Sequence, residues 1–264
     1  MKKITIGNLQ AMKGKEKIAM ITAYDALFTK IFDDEVDMIL VGDSLNMSFN
    51  GKSETIGIGL EEMIYHAKAV KVGCKRAYLV VDMPFGSTVT PQITLESAVK
   101  IYKETGCDAV KIEGGANMAE TIKLLSQNGI AVMAHIGLKP QTSRALGGYK
   151  ISGKDENSVN ELINDALILQ EAGAVLFLIE GTVSEAAAEV TKRLGVPTIG
   201  IGSGVSCDGQ VLVWSDAFGF FDEFQPKFVK RFLNGAELIK GALKEYVSEV
   251  KSSQFPSSAY EYQK

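Results

Sequence analysis

The sequence predicts an α/β fold built from repeated βα units around a parallel sheet, with the (β/α)8 barrel as its leading form, and three observations carry that expectation. Short β-rich apolar runs alternate with longer segments of helical periodicity. The strand candidates are apolar without alternation, as strands covered on both faces are. A chain of 264 residues also fits one barrel, which typically needs about 250. The competing architecture is a doubly wound open sheet, which alternates strand and helix in the same way and differs only in lacking closure.

In chain order the strands are expected at Lys17 to Thr22, Met38 to Gly42, Ala77 to Asp82, Ala109 to Glu113, Ala131 to His135, Val175 to Glu180 and Thr198 to Ile201. A fainter eighth falls at Phe228 to Phe232. Helices are expected at Leu60 to Val72, Leu95 to Glu104, Ala119 to Asn128, Ser158 to Glu171, Ser184 to Leu194 and Ala236 to Val250, each with apolar residues at three-to-four spacing. Gly73, Gly106, Gly129, Gly173 and Gly195 follow these segments as candidate C-caps. No Pro-rich or Ser-rich linker interrupts the pattern, so residues 1–264 read as one barrel domain. Residues 252–264 form a polar and aromatic tail that either frays or docks on a neighbour.

Composition narrows the function. Twenty-eight Lys and Arg against 32 Asp and Glu leave a net charge of −4, and the pI is near 5.4. That balance argues against nucleic acid or an anionic membrane as partner and favours a small-molecule ligand. No apolar run approaches the roughly 20 residues of a membrane span. The start, Met1-Lys2-Lys3, lacks the apolar stretch of a secretory signal, so a cytoplasmic protein is expected. Cys74, Cys107 and Cys207 are too scattered for a disulfide framework or a metal knuckle and read as reduced bystanders.

The candidate chemistry lies at the C-terminal ends of the strands, the rim that carries the site in either architecture. Four of those ends bring a carboxylate: Asp43, Asp82, Glu113 and Glu180. A lone acid after a strand is usually a cap or a solvated loop residue. Four converging on one mouth would repel each other unless a cation or raised pKa values relieved them. An all-oxygen set with few His selects a hard ion, Mg²⁺ or Mn²⁺, over zinc. Lys111, two residues before Glu113, shares its face of the strand and calls for an anion. That anion is a substrate carboxylate or, alternatively, the neighbouring acids; a Schiff base ranks last, since carboxylates keep a lysine charged. His135 ends the fifth strand and either bonds substrate or a neighbouring acid, or is a satisfied rim histidine. His66, mid-helix, reads as structural. Gly200-Ile201-Gly202-Ser203-Gly204 lacks the spacing of a dinucleotide fingerprint or a P-loop. Trp214 and its neighbours Phe218, Phe220 and Phe221 read as packing.

These blocks together resemble the ketopantoate hydroxymethyltransferase family over nearly the whole chain. The matching segments include Thr22-Ala23-Tyr24-Asp25, Val41-Gly42-Asp43-Ser44-Leu45, Ala77 to Phe85, Val110 to Gly115, His135 to Leu138 with Pro140-Gln141, Gly147 to Lys150, Ile199 to Gly204, Asp208 to Val213 and Asp216 to Gly219. The resemblance implies a closed TIM-type barrel of the phosphoenolpyruvate and isocitrate-lyase kind. It implies Mg²⁺ held by Asp43, Asp82 and Glu113, directly or through water. Ser44 and Lys111 are then expected on the substrate carboxylate and Glu180 as general base; Asp43 and Asp82, and from its place at the strand end His135, are expected among the substrate contacts as well. The implied reaction uses 3-methyl-2-oxobutanoate and 5,10-methylenetetrahydrofolate in pantothenate synthesis, in a homo-oligomer, commonly a decamer. Asn46, Lys52 and Gly181-Thr182 depart from the family pattern without removing a proposed ligand. The rival reading is a Mg²⁺-dependent 2-oxo acid lyase or mutase on the same barrel, working without folate.

Overall fold

The computed structural model describes residues 2–221 and 225–263; Met1, and Lys264 at the end of the expected tail, lie outside them. The single domain drawn from the sequence spans two compact units, Met1–Val213 and Trp214–Lys264.

In the first unit the order is α1 (Ile6–Met12), β1 (Ile18–Thr22), α2 (Ala26–Phe32), β2 (Met38–Val41), α3 (Leu45–Ser48), α4 (Leu60–Gly73), β3 (Tyr78–Asp82), α5 (Pro91–Thr105), β4 (Ala109–Glu113), α6 (Ala119–Gln127), β5 (Val132–Gly137), α7 (Ser143–Leu146), α8 (Glu156–Glu171), β6 (Leu176–Glu180), α9 (Ser184–Arg193), β7 (Thr198–Ile201) and β8 (Gly209–Leu212). The strands pair in parallel in sequence order, and β8 pairs with β1 to close the barrel. Closure decides against the open sheet.

The first seven strands lie within two residues of their expected positions. The eighth does not. Phe228 to Phe232 forms no strand, and Phe228 and Phe232 are exposed; β8 is Gly209–Leu212, which the sequence reading passed over. Two features hid it: Gln210 faces solvent, so no continuous apolar run marks the strand, and Gly202 to Asp208 return to it without a helix.

Every second residue of the strands faces inward and packs the barrel: Met20, Met38 and Leu40, Tyr78 and Val80, Met133, Leu176 and Leu178, Ile199 and Val211 form one buried cluster. Leu9 of α1 is fully buried in that cluster, with Ile6 and Met12 packed against it, so the helix before β1 plugs the N-terminal end. The expected caps divide by conformation. Gly106, Gly129 and Gly173 are left-handed, whereas Gly73 and Gly195 are not. Gly73 instead serves close packing: a Cβ there would stand 2.8 Å from both the Ala26 carbonyl oxygen and Thr29 Cβ, on the helix that α4 crosses. The three cysteines are buried free thiols.

The second unit holds α10 (Trp214–Ala217) and α11 (Gly235–Lys251). Trp214 is buried and packs on Phe220, with ring centroids 5.3 Å apart, the packing role expected of it. The tail folds back on its own helix, where Phe255 meets Tyr246 edge-on at 5.7 Å and Tyr260 at 5.9 Å. Among the described residues no helix is long and apolar enough to cross a membrane.

Candidate active site

The alternation that packs the barrel also aims the site. Tyr78 and Val80 face the core, so Asp82 at the end of β3 does too; Ala109 is followed inward by Lys111 and Glu113, Met133 by His135, and Leu176 and Leu178 by Glu180. Register then sets neighbours. Asp82 stands beside Lys111 and Glu113 beside His135 on adjacent strands. Asp43 and Ser44 follow β2 at the turn into α3. All the sequence-predicted site residues therefore sit at the C-terminal end of one barrel.

The contacts divide them into two linked groups. Asp82 Oδ2 accepts from the Asp43 backbone N–H at 2.9 Å, while Asp82 Oδ1, buried without a hydrogen-bond partner, lies 3.3 Å from Lys111 Nζ. Lys111 Nζ is 3.0 Å from His135 Nδ1. An ammonium can only donate, so Nδ1 accepts and the imidazole carries its proton on Nε2. That nitrogen is 3.3 Å from Glu180 Oε2, outside hydrogen-bond geometry. Glu180 thus lies across the Lys111–His135 pair from the Asp43–Asp82 pair. Gly137 permits this approach: its φ is +90°, and a Cβ there would fall 2.3 Å from the Glu180 carbonyl oxygen, which accepts from Leu138 N–H.

Burial dominates the electrostatics. It pushes the Asp82 carboxyl up to about 7 even with Lys111 beside it, and does the same to Glu180. Glu113 is raised well above the usual carboxylate range, also by burial first. Burial and then the Lys111 charge hold His135 far below its ordinary value, so it is neutral. Burial alone would lower Lys111, yet Asp82, Glu113, Asp43 and Glu180 together keep it charged. Four carboxylates facing one ammonium can ionise together only if a further cation neutralises them, and without one their pKa values rise. Among the described residues no three His, Cys, Asp or Glu side chains form a ready-made metal cage. A magnesium-type ion does not need one, since it keeps several waters and takes one or two carboxylates plus substrate oxygens. Asp82 Oδ1, which has the Lys111 ammonium beside it but no hydrogen bond, and the oxygen-only acid set fit such an ion.

Two residues of the site carried no role in the sequence reading. Gln141 donates from its backbone to Glu113 Oε2 at 3.0 Å and from its side chain to Asp43 Oδ2 at 2.9 Å and the Met83 carbonyl at 3.0 Å. The Tyr24 hydroxyl, buried, is 2.7 Å from Ser44 Oγ. A neutral amide in a loop has no signature of its own; its only signal was membership of the matching Pro140-Gln141 block. Asn46 is buried and holds the loop after β2, donating to the Glu54 carbonyl at 2.7 Å. Ser203, in the Gly-rich stretch, joins the end of β7 to β6 by donating to the Ile179 carbonyl at 2.7 Å. His66 is structural, its Nδ1 2.7 Å from the Tyr24 carbonyl oxygen.

A profile described as ketopantoate hydroxymethyltransferase matches residues 3–258, across both units. The chain belongs to the ketopantoate hydroxymethyltransferase family. It is 71% identical, over 264 residues and 100% of both chains, to the 3-methyl-2-oxobutanoate hydroxymethyltransferase of Campylobacter fetus subsp. fetus. It is 56% identical over 261 residues, 99% of each chain, to the enzyme of that name from Helicobacter hepaticus. Like these relatives, this member of the hydroxymethyltransferase family is an enzyme. Solved structures with similar folds include a phosphoenolpyruvate phosphomutase from Streptomyces platensis subsp. rosaceus, with TM-score 0.63 and 14% identity over 94% of this chain and 88% of that one. Another is 2,3-dimethylmalate lyase, a PEP mutase/isocitrate lyase superfamily member, with TM-score 0.57 and 17% identity over 100% and 92%. At such identities the likeness establishes the barrel type and nothing about the reaction.

Proposed function

We propose that this hydroxymethyltransferase converts 3-methyl-2-oxobutanoate, 5,10-methylenetetrahydrofolate and water into 2-dehydropantoate and tetrahydrofolate, supplying pantothenate synthesis. The observation that carries the reading is the spatial separation of four carboxylates at one barrel end: three are linked around Asp43, and Glu180 stands alone beyond Lys111 and His135. Pairs of acids in unlike surroundings mark acid–base division of labour. Lys111, held charged, and Ser44 bind the substrate carboxylate, with His135 against them. Glu180 takes the proton from C3 of the keto acid, and C3 forms the new bond to the folate's methylene carbon. Water supplies the hydroxyl oxygen as both bonds from the methylene to folate nitrogens break, and the proton from C3 and one from water end on those two nitrogens. Mg²⁺, held by Asp43 and Asp82 with Glu113 directly or through water, would supply Lewis-acid stabilisation of the negative charge developing on the keto oxygen. A Glu180 near 7 in the metal-free site is poised to accept a proton at neutral pH.

The reading extends to a cytoplasmic homo-oligomer, a decamer by the family resemblance, which light scattering on the purified protein checks. The decisive experiment is proton NMR of 3-methyl-2-oxobutanoate in D₂O with and without Mg²⁺, then with the folate. Metal-dependent loss of the C3 proton, followed by hydroxymethyl product only with folate, is the expected result. Turnover of the keto acid in the absence of folate would select the lyase or mutase instead.

A further inference from the structure

The segment between β5 and α8 crosses the mouth of the barrel on three anchors. Gln141 fastens its near end to Asp43, Glu113 and the Met83 carbonyl. Arg144 then grips Glu54, in the loop between α3 and α4, through both carboxylate oxygens at 2.6 and 2.5 Å. At the far end Ser152 N–H donates to the carbonyl of Gly181, the residue after Glu180, at 2.9 Å, and Val183 N–H donates back to Ser152 at 3.0 Å. The strap therefore runs from the acid pair to the base.

Tyr149 lies between the second and third anchors, just after Gly147 and Gly148, whose φ angles are +71° and +122°. Tyr149 is 54% exposed, and Leu146 and Ile151 on either side of it are 46% and 48% exposed. Burial, and then the charges of Glu180, Glu54 and Asp43, push the Tyr149 phenol above the ordinary range. Below the acids the barrel is filled with side chains and plugged by Leu9. A second substrate therefore reaches a keto acid held at the acids from the C-terminal end of the barrel, which the strap crosses.

We propose that Tyr149 is the platform on which the flat bicyclic ring of the reduced-folate donor lies, with its methylene directed into the barrel. The inference rests on the transferase reading above and adds the residue that receives its second substrate. An aromatic face open to solvent, on a segment anchored to the site on both sides, suits a planar heterocycle, which stacks on such rings.

The test measures tetrahydrofolate binding by calorimetry, with Mg²⁺ and 3-methyl-2-oxobutanoate present, for the parent, Tyr149→Ala and Tyr149→Phe. Deuterium exchange into the keto acid, which needs no folate, reports in parallel whether each variant's site is assembled. Tyr149→Ala is expected to weaken tetrahydrofolate binding about fivefold to tenfold, the size of an aromatic stacking contact. Tyr149→Phe keeps the ring and should bind like the parent. Parent-like affinity in Tyr149→Ala overturns the platform, and so does alanine-like affinity in Tyr149→Phe. If the parent exchanges deuterium yet binds no tetrahydrofolate, the transferase reading falls and the platform with it.

Discussion

Glu180→Gln is nearly isosteric and removes only the ability to take a proton. Substrate deuterium exchange should fall at least a hundredfold while Mg²⁺-dependent keto acid binding persists, read by NMR and calorimetry on the same protein. Loss of binding with exchange retained would refute the assignment of the base. The same carboxylate has a cost in stability. Its pKa rises from the usual 4.5 to about 7 on folding, so the unfolded chain loses its proton first as pH increases. Stability from this group is therefore full below 4.5, declines between 4.5 and 7, and stays reduced above 7. Metal-free Glu180→Gln should accordingly gain about 1–2 kcal/mol over the parent at pH 8 and nothing near pH 4, measured by urea denaturation in chelator. Asp82→Asn acts differently. It replaces one of the two oxygens of a carboxylate proposed to hold the ion, and Mg²⁺ affinity should drop about tenfold or more by calorimetry.

At the scale of elements, α1 matters more than its seven residues suggest. Leu9 is fully buried against Ile18 and Met20, and Leu9→Ala should destabilise the protein by about 3 kcal/mol in denaturant titrations. Parent-like stability would show that the plug contributes little. The elements also show what a sequence can reveal. Seven strands were legible because burial on both faces demands continuous apolar runs, and their acidic ends were legible because the alternation carries inward-facing residues straight to the rim. The eighth strand was not, since Gln210 breaks the run and the return from β7 has no helix to announce it. Gly73 was legible as a helix end but not as a packing contact, which depends on where α2 lies. Gln141 and Tyr149 were out of reach for a related reason: their roles come from where a long loop crosses, and loop paths leave no periodic trace.

The whole barrel has one filled end and one open end, and that asymmetry governs the order of events. The acids lie deep, and the strap carrying Tyr149 lies over them, so on the proposed reaction the keto acid must load first and its longer product must leave last. Steady-state kinetics should therefore follow a compulsory sequence in which 2-dehydropantoate competes with 3-methyl-2-oxobutanoate. Tetrahydrofolate, released from the outer position, should not compete with the keto acid. Product inhibition patterns with each product in turn check this, and random-order patterns would show that the strap opens independently of the folate. The plug formed by α1 thus acts on more than folding: with no rear exit, the catalyst works as a stack, last in and first out.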